Sequence, residues 1–249
     1  MIRTIVIVVF FTLCVLLVMP WLFLWTLLTG NPGLMYAASM KGVWIGAGIA
    51  GIRVRTEGLE NIPPGPCVLT ANHVSNVDGP LFVASVPRRT GIMIKEEVFR
   101  IPILGTSMRR AQFIPVNRAD REAATTSMEA GGRVLKSGVP LAVFPEGTRS
   151  IDGRLRRFKT GAFAMAIEAG VPVVPVSISG TRSVMEKGEW IVRPGDVTIR
   201  FGTPVDASKY PRNRRWELAA LVESRVAAGL PPNQQPIARS PGATPRATE

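Results

Sequence analysis

The chain has a single histidine, His73, in the stretch Asn72-His73-Val74-Ser75-Asn76-Val77-Asp78, where four residues separate it from an aspartate. An imidazole takes up protons near neutral pH. A carboxylate on its other nitrogen fixes the tautomer and supports the charged form. His73 and Asp78 therefore have the makings of a general base and its orienting partner. The same stretch also reads as a capping cluster, because Asn72, Ser75, Asn76 and Asp78 are all good helix caps. Taken alone, the dyad leaves both readings open.

A second polar block, Phe144-Pro145-Glu146-Gly147-Thr148-Arg149-Ser150, follows an apolar run just as the dyad does. Pro145 and Gly147 dictate a turn, and Gly147 allows close approach of a ligand to the backbone. Arg149 offers a planar fork suited to phosphate, and Glu146 can accept hydrogen bonds from hydroxyls. A surface turn with a Glu-Arg ion pair is the plain alternative. The run 111–118 closes on a basic residue, Arg118. The run 171–176 carries two prolines among valines, which predicts an edge strand or the wall of an apolar groove. Lys95, Arg157 and Lys159 add positive charge near strand ends, where each also reads as a solvated surface charge.

The elements that must position these residues follow from apolar periodicity. Strands are expected at 52–56, 68–71, 92–95, 113–116, 141–144, 173–177 and 197–201. Helices are expected at 80–86, 121–136, 161–169 and 214–228. The alternation predicts an α/β fold, a mixed and largely parallel sheet flanked by helices, over residues 51–229. Residues 230–249 hold five prolines among small polar residues, a disordered composition.

No charged residue occurs between Thr4 and Met40. The apolar run 5–28 would reach ~36 Å as a helix, enough to cross a ~30 Å hydrocarbon layer. It is long for a signal-peptide core and no small-residue cleavage site follows, so retention is expected. After the turn signal Gly30-Asn31-Pro32-Gly33, a second apolar stretch, 34–52, carries only Lys41. Residues 1–50 thus read as a membrane-embedded helical segment. It would form either two spans or a hairpin dipping into one leaflet with its kink at Pro20. Trp21, Trp25, Tyr36 and Trp44 would lie at the interface. The net charge of +12 points to an anionic partner. Cys14 and Cys67 have no metal-ligand spacing and no disulfide framework, and no metal site is expected.

Together and in this order, the four blocks resemble the glycerolipid acyltransferase family, and within it the bacterial 1-acyl-glycerol-3-phosphate acyltransferases. His73 and Asp78 match the family's histidine-four residues-aspartate block, Arg118 its basic strand end, 144–150 its Glu-Gly-Thr-Arg block and 171–176 its proline-bearing run. The resemblance covers residues 52–205 and extends to the apolar amino-terminal segment. It implies that His73 acts as general base on a glycerol hydroxyl and that Asp78 orients the ring. It also implies that Arg118, Arg149 and, by proximity, Lys95 hold the acceptor phosphate and Glu146 its glycerol portion, with Gly147 and Thr148 also among the substrate-binding residues. The implied reactants are lysophosphatidic acid and acyl-CoA or acyl carrier protein, with no cofactor. The implied location is a membrane, the bacterial inner membrane with the catalytic domain facing the cytoplasm.

Three other readings stay open. The acceptor could be another lysolipid, such as a lyso-aminolipid, although a phosphate-free acceptor gives Arg149 little to bind. Water in place of the hydroxyl would make a thioesterase. A non-catalytic, membrane-tethered binder of anionic ligands would use the basic surface alone. Nucleic acid is not expected as a partner, because no basic helix with interleaved aromatics is present.

Overall fold

A computed structural model describes residues 1–101, 104–117 and 121–236. Seven strands form one sheet: β1 (Ile52–Glu57), β2 (Val68–Ala71), β3 (Gly91–Lys95), β4 (Ile114–Val116), β5 (Leu141–Val143), β6 (Val173–Ser179) and β7 (Gly195–Phe201). Their order is β1-β7-β6-β2-β5-β3-β4. Every pairing is parallel except β6 with β7. The mixed, largely parallel sheet expected from the alternation is thus present, with each strand within two residues of its expected bounds.

Strand alternation divides the core into two layers. Val68, Leu141, Val143 and Val173 point to one side, under the helices Arg121–Lys136, Gly161–Ala169 and Arg215–Ala228, which supply Leu135, Phe163, Leu218 and Val222. Leu69, Ala142, Val174 and Val176 point to the other, where helix Asp78–Ser85 supplies Leu81 and Phe82. The pairings also fix which strand ends lie together. The carboxyl ends of β2 to β6 share one edge of the sheet. Because β7 runs against β6, the amino ends of β7 and β1 lie at that edge too.

The proline-bearing run corrects one expectation. Its β6 is no edge strand; it lies inside the sheet between β7 and β2. A proline is tolerated there because the antiparallel ladder is interrupted where its N–H would have pointed. Val173 exchanges two backbone bonds with Val205, regular pairing with β7 resumes only at Val176, and between them Gly202 N–H donates to the Pro175 carbonyl at 2.8 Å. A Cβ on Gly202 would lie 3.2 Å from Pro175 Cγ, so the missing side chain makes room for the ring.

The amino-terminal segment forms two helices, Ile2–Thr29 and Gly33–Ala50. The first is long and apolar enough to cross a membrane. At Cys14–Val18 it widens by a residue, with Met19 N–H reaching back to the Cys14 carbonyl just before Pro20. A proline clashes with the carbonyl four residues earlier, and the widened turn is a common remedy. The second helix lies against the α/β domain along its length. Near its start Tyr36 is buried, and its hydroxyl accepts from Thr90 N–H at 3.1 Å; at its end Ala47 and Ala50 are buried. Tyr36 therefore serves the core, whereas Trp21, Trp25 and Trp44 are exposed. The first helix runs back along the second. Phe11 sits where a Cβ on Gly46 would fall, and Arg3 Nη1 donates to the Ala50 carbonyl at 3.3 Å.

At the other end of the chain, the first residues past the carboxyl-terminal helix are held on the domain. Leu230 and Gln234 are buried, and the Gln234 carbonyl accepts from Leu155 N–H at 2.8 Å. Residues 237–249 of the expected disordered tail lie outside the described residues.

Gly202→Val is expected to destabilise the domain by ~1–3 kcal/mol through overpacking against Pro175. Combining it with Pro175→Ala should recover part of that loss. A double-mutant cycle by urea denaturation in detergent checks this, and strict additivity would refute the proposed contact.

Candidate active site

His73 stands two residues beyond the end of β2, at the sheet edge shared by the carboxyl ends of the parallel strands. Its Nδ1 lies 2.8 Å from Asp78 Oδ2, and the same oxygen accepts from Val74 N–H and Ser75 N–H at 2.7 Å each. Asp78 is fully buried in the first turn of helix Asp78–Ser85, where the helix dipole favours negative charge. With a carboxylate on Nδ1, the proton sits there and the Nε2 lone pair stays available. Among the described residues Nε2 makes no hydrogen bond, and the side chain is 13% exposed. The Phe144 ring stacks on the imidazole, with centroids 4.1 Å apart and planes 17° from parallel, which fixes the tilt of the ring.

The second polar block follows β5, the neighbour of β2, so the two turns meet. Glu146 Oε1 accepts from His73 N–H at 2.7 Å, and Ser150 N–H donates to the His73 carbonyl at 2.8 Å. The other carboxylate oxygen of Glu146 accepts from Arg156 N–H at 3.3 Å. The sequence suggested that Glu146 would bind substrate hydroxyls. In the structure it is 4% exposed with both oxygens engaged by the backbone, so it holds the His73 backbone in place. Gly147 adopts φ +75°, and Lys159 lies across it: Lys159 Cε is 3.1 Å from where a Cβ on Gly147 would stand. Thr148 is half-buried in the turn. Arg149 is half-buried, and its Nη1 is buried without a hydrogen-bond partner.

Lys95 ends β3, two strands away from β2, and its amine pairs with Glu97 at 2.8 Å in an exposed ion pair. The structure gives it no contact with the dyad. Arg118 lies outside the described residues.

A family model described as Acyltransferase matches residues 53–179, a span that holds the dyad and the Glu-Gly-Thr-Arg turn. The chain belongs to the acyltransferase family. Among its relatives, a 1-acyl-sn-glycerol-3-phosphate acyltransferase of Chlamydomonas reinhardtii is 39% identical over 184 residues, covering 72% of this chain and 54% of that protein. One of Pseudomonas aeruginosa is 29% identical over 199 residues, covering 78% and 77%. The chain spans about half the length of the algal protein and of a chloroplast relative from Brassica napus, of which it covers 45%. The crystal structure of the 1-acyl-sn-glycerophosphate acyltransferase PlsC from Thermotoga maritima matches with a TM-score of 0.75 at 27% identity. That match covers 92% of this chain and 96% of the other.

Two residues that support the dyad in this member of the family escaped sequence reasoning. Asn72, read as a cap, is buried and spans to β6: its side chain donates to the Ile178 carbonyl at 2.9 Å and accepts from Ile178 N–H at 2.8 Å. Phe144 carried no signal beyond its hydrophobicity. The partners of both lie far away in sequence, so local pattern could not reveal them.

Burial pushes the Glu146 carboxyl up to about 8, while the bonds from His73 and Arg156 N–H pull it down. A carboxyl raised in the folded state favours folding while protonated. Its contribution is complete below its ordinary value near 4.5 and is lost as pH rises through about 8. Stability should therefore fall from pH 5 to pH 8, with a slope of at most ~1.4 kcal/mol per pH unit. Glu146→Gln keeps an acceptor for His73 N–H and should flatten that slope. Urea midpoints across the range test it, and an unchanged slope in the variant would assign the effect elsewhere.

Proposed function

We propose that the protein transfers an acyl chain from a thioester, acyl-CoA or acyl carrier protein, to the free hydroxyl of 1-acyl-glycerol-3-phosphate, giving phosphatidic acid for phospholipid synthesis. The observation that carries this reading is the joined pair of turns: an oriented imidazole with a free Nε2 beside a turn whose arginine has an unpartnered buried nitrogen. The names of the relatives from algae, plants and Pseudomonas, and of the Thermotoga structure, support the choice of acceptor.

The geometry supports a direct transfer. Nε2 of His73 removes the hydroxyl proton as that oxygen attacks the thioester carbonyl. The tetrahedral species then collapses with cleavage of the carbon–sulfur bond, and the imidazolium returns its proton to the departing thiolate. Asp78, held on Nδ1 of the ring, keeps the imidazole oriented while Nε2 exchanges the proton. Arg149, together with Arg118, would hold the acceptor phosphate. Lys95 would contribute only after giving up Glu97. The hydroxyl and the thioester need no covalent acyl-enzyme, so positioning the two supplies much of the acceleration.

The helix pair supports a membrane setting. The outer face of Ile2–Thr29 exposes Ile5, Val8, Leu16, Leu17, Trp21 and Leu28, whereas its partner helix is committed to the domain along its length. That arrangement fits a hairpin seated in one leaflet better than two spans. The domain would then face the compartment holding the thioester donor, which for a bacterial inner membrane is the cytoplasm.

Purified protein in detergent, given lysophosphatidic acid and labelled acyl-CoA or acyl carrier protein, should form phosphatidic acid. His73→Ala should lower kcat by ~10²–10⁴-fold while remaining folded. Arg149→Met should act mainly on KM for the acceptor, raising it ~10–100-fold, the loss of one or two charge-assisted hydrogen bonds. Full activity in His73→Ala would overturn the mechanism. Release of free fatty acid with no acceptor present would point to a thioesterase.

A further inference from the structure

The backbone of Lys159 is pinned over the Glu-Gly-Thr-Arg turn. Its own N–H donates to the Pro145 carbonyl at 2.9 Å. The residues just before it are fastened as well: Arg156 N–H donates to Glu146 Oε2 at 3.3 Å, and Phe158 N–H donates to Glu223 Oε2 at 2.7 Å. The Phe158 ring is buried beside Phe163, so this short run has little freedom to shift.

From that backbone the side chain crosses Gly147. A Cβ on Gly147 would lie 3.1 Å from Lys159 Cε, 3.4 Å from Cδ and 3.5 Å from Nζ. Gly147 is therefore constrained twice, by its φ of +75° and by the lysine stem above it. The crossing brings an amine to the turn whose Glu146 anchors His73 and whose Arg149 has a buried nitrogen without a partner.

That amine is uncommitted. Among the described residues it makes no hydrogen bond and no ion pair. Two other lysines near the sheet edge are engaged: Lys187 Nζ donates to the Arg149 carbonyl and Lys95 pairs with Glu97, each at 2.8 Å. The acids next to the turn are engaged too. Glu146 takes two backbone donors, and Asp152 accepts from Ser150 Oγ at 2.7 Å and Arg154 N–H at 3.0 Å. A lysine and an arginine thus flank one turn with no carboxylate to neutralise them.

We infer that Lys159 is a second cation for the acceptor phosphate, held over Gly147 to act with Arg149. A phosphate monoester carries close to two negative charges on three terminal oxygens, which suits one planar fork and one compact ammonium. The inference rests on the proposed function and deepens it by adding a residue that selects a phosphorylated acceptor.

The test uses full-length protein in detergent. Lys159→Met keeps an unbranched stem over Gly147 and removes the charge. Binding is measured without donor, for short-chain lysophosphatidic acid and for the monoacylglycerol of the same chain, which lacks the phosphate. The variant is expected to raise Kd for lysophosphatidic acid ~10–100-fold, the scale of one charge-assisted hydrogen bond. Its Kd for monoacylglycerol, its KM for acyl-CoA and its urea midpoint should match the parent. The dependence of lysophosphatidic acid binding on salt should become shallower, because one charge has left the site.

An unchanged Kd for lysophosphatidic acid overturns the inference. An equal loss for monoacylglycerol also overturns it, because the residue would then serve the fold of the turn. A rise confined to KM for acyl-CoA overturns it by assigning Lys159 to phosphates of the donor. If the parent binds lysophosphatidic acid but transfers no acyl group to it, the proposed reaction fails, while the Kd comparison still decides the role of Lys159. A parent that does not bind lysophosphatidic acid refutes both.

Discussion

The site depends on a clasp between two turns whose key residues lie 73 apart in sequence. His73 gives its backbone N–H to Glu146 and its carbonyl to Ser150 N–H, so both polar groups of that peptide are held by the turn after β5. Parallel neighbours cannot be joined by a tight hairpin, so such a clasp requires a long crossover between its halves. The crossover includes β3, β4 and helix Arg121–Lys136. What it achieves is local: the backbone that carries the imidazole is anchored from outside its own loop. Burying the Glu146 carboxyl is costly, and its two backbone donors are what make it tolerable.

The capping and catalytic readings of the first block prove compatible. Asp78 Oδ2 accepts from Val74 and Ser75 N–H as a cap would, and the His73 ring is its third donor. A carboxylate already immobilised by two backbone bonds gives the imidazole a fixed partner at little further entropic cost. Asn72 and Ser75 do similar work from the other side, one locking the strand end to β6 and the other bonding the Met185 carbonyl. The block is polar because the turn needs donors and acceptors, and the His73–Asp78 contact is built on that framework.

The strands were legible because alternation and β-branched runs report burial directly, and their ends located both polar blocks. Three features were not legible, each for the same physical reason. Pro175 suggested an edge because a sequence does not show which side of a strand a missing N–H faces; the break opposite Gly202 makes it harmless. Glu146 looked like a ligand because its backbone partners are remote. The second apolar helix looked like membrane throughout, yet Tyr36 meets Thr90 across 54 residues and binds that helix to the domain. The short helix Leu104–Arg110 went unseen for a different reason, being too brief to show a period.

One reversed strand pairing sets where the amino-terminal hairpin meets the candidate site. Had β7 joined β6 in parallel, with β1 still parallel to β7, β1 would begin at the edge opposite His73. The hairpin that precedes β1 would then end away from the site. The antiparallel step turns both strands round, so Gly51 and Gly195 meet at the reactive edge and carry the first turn of helix Ile2–Thr29 with them. A soluble substrate would gain nothing from that arrangement. In the proposed reaction, an acceptor dissolved in a leaflet would gain a short path to His73 from this reversed pairing.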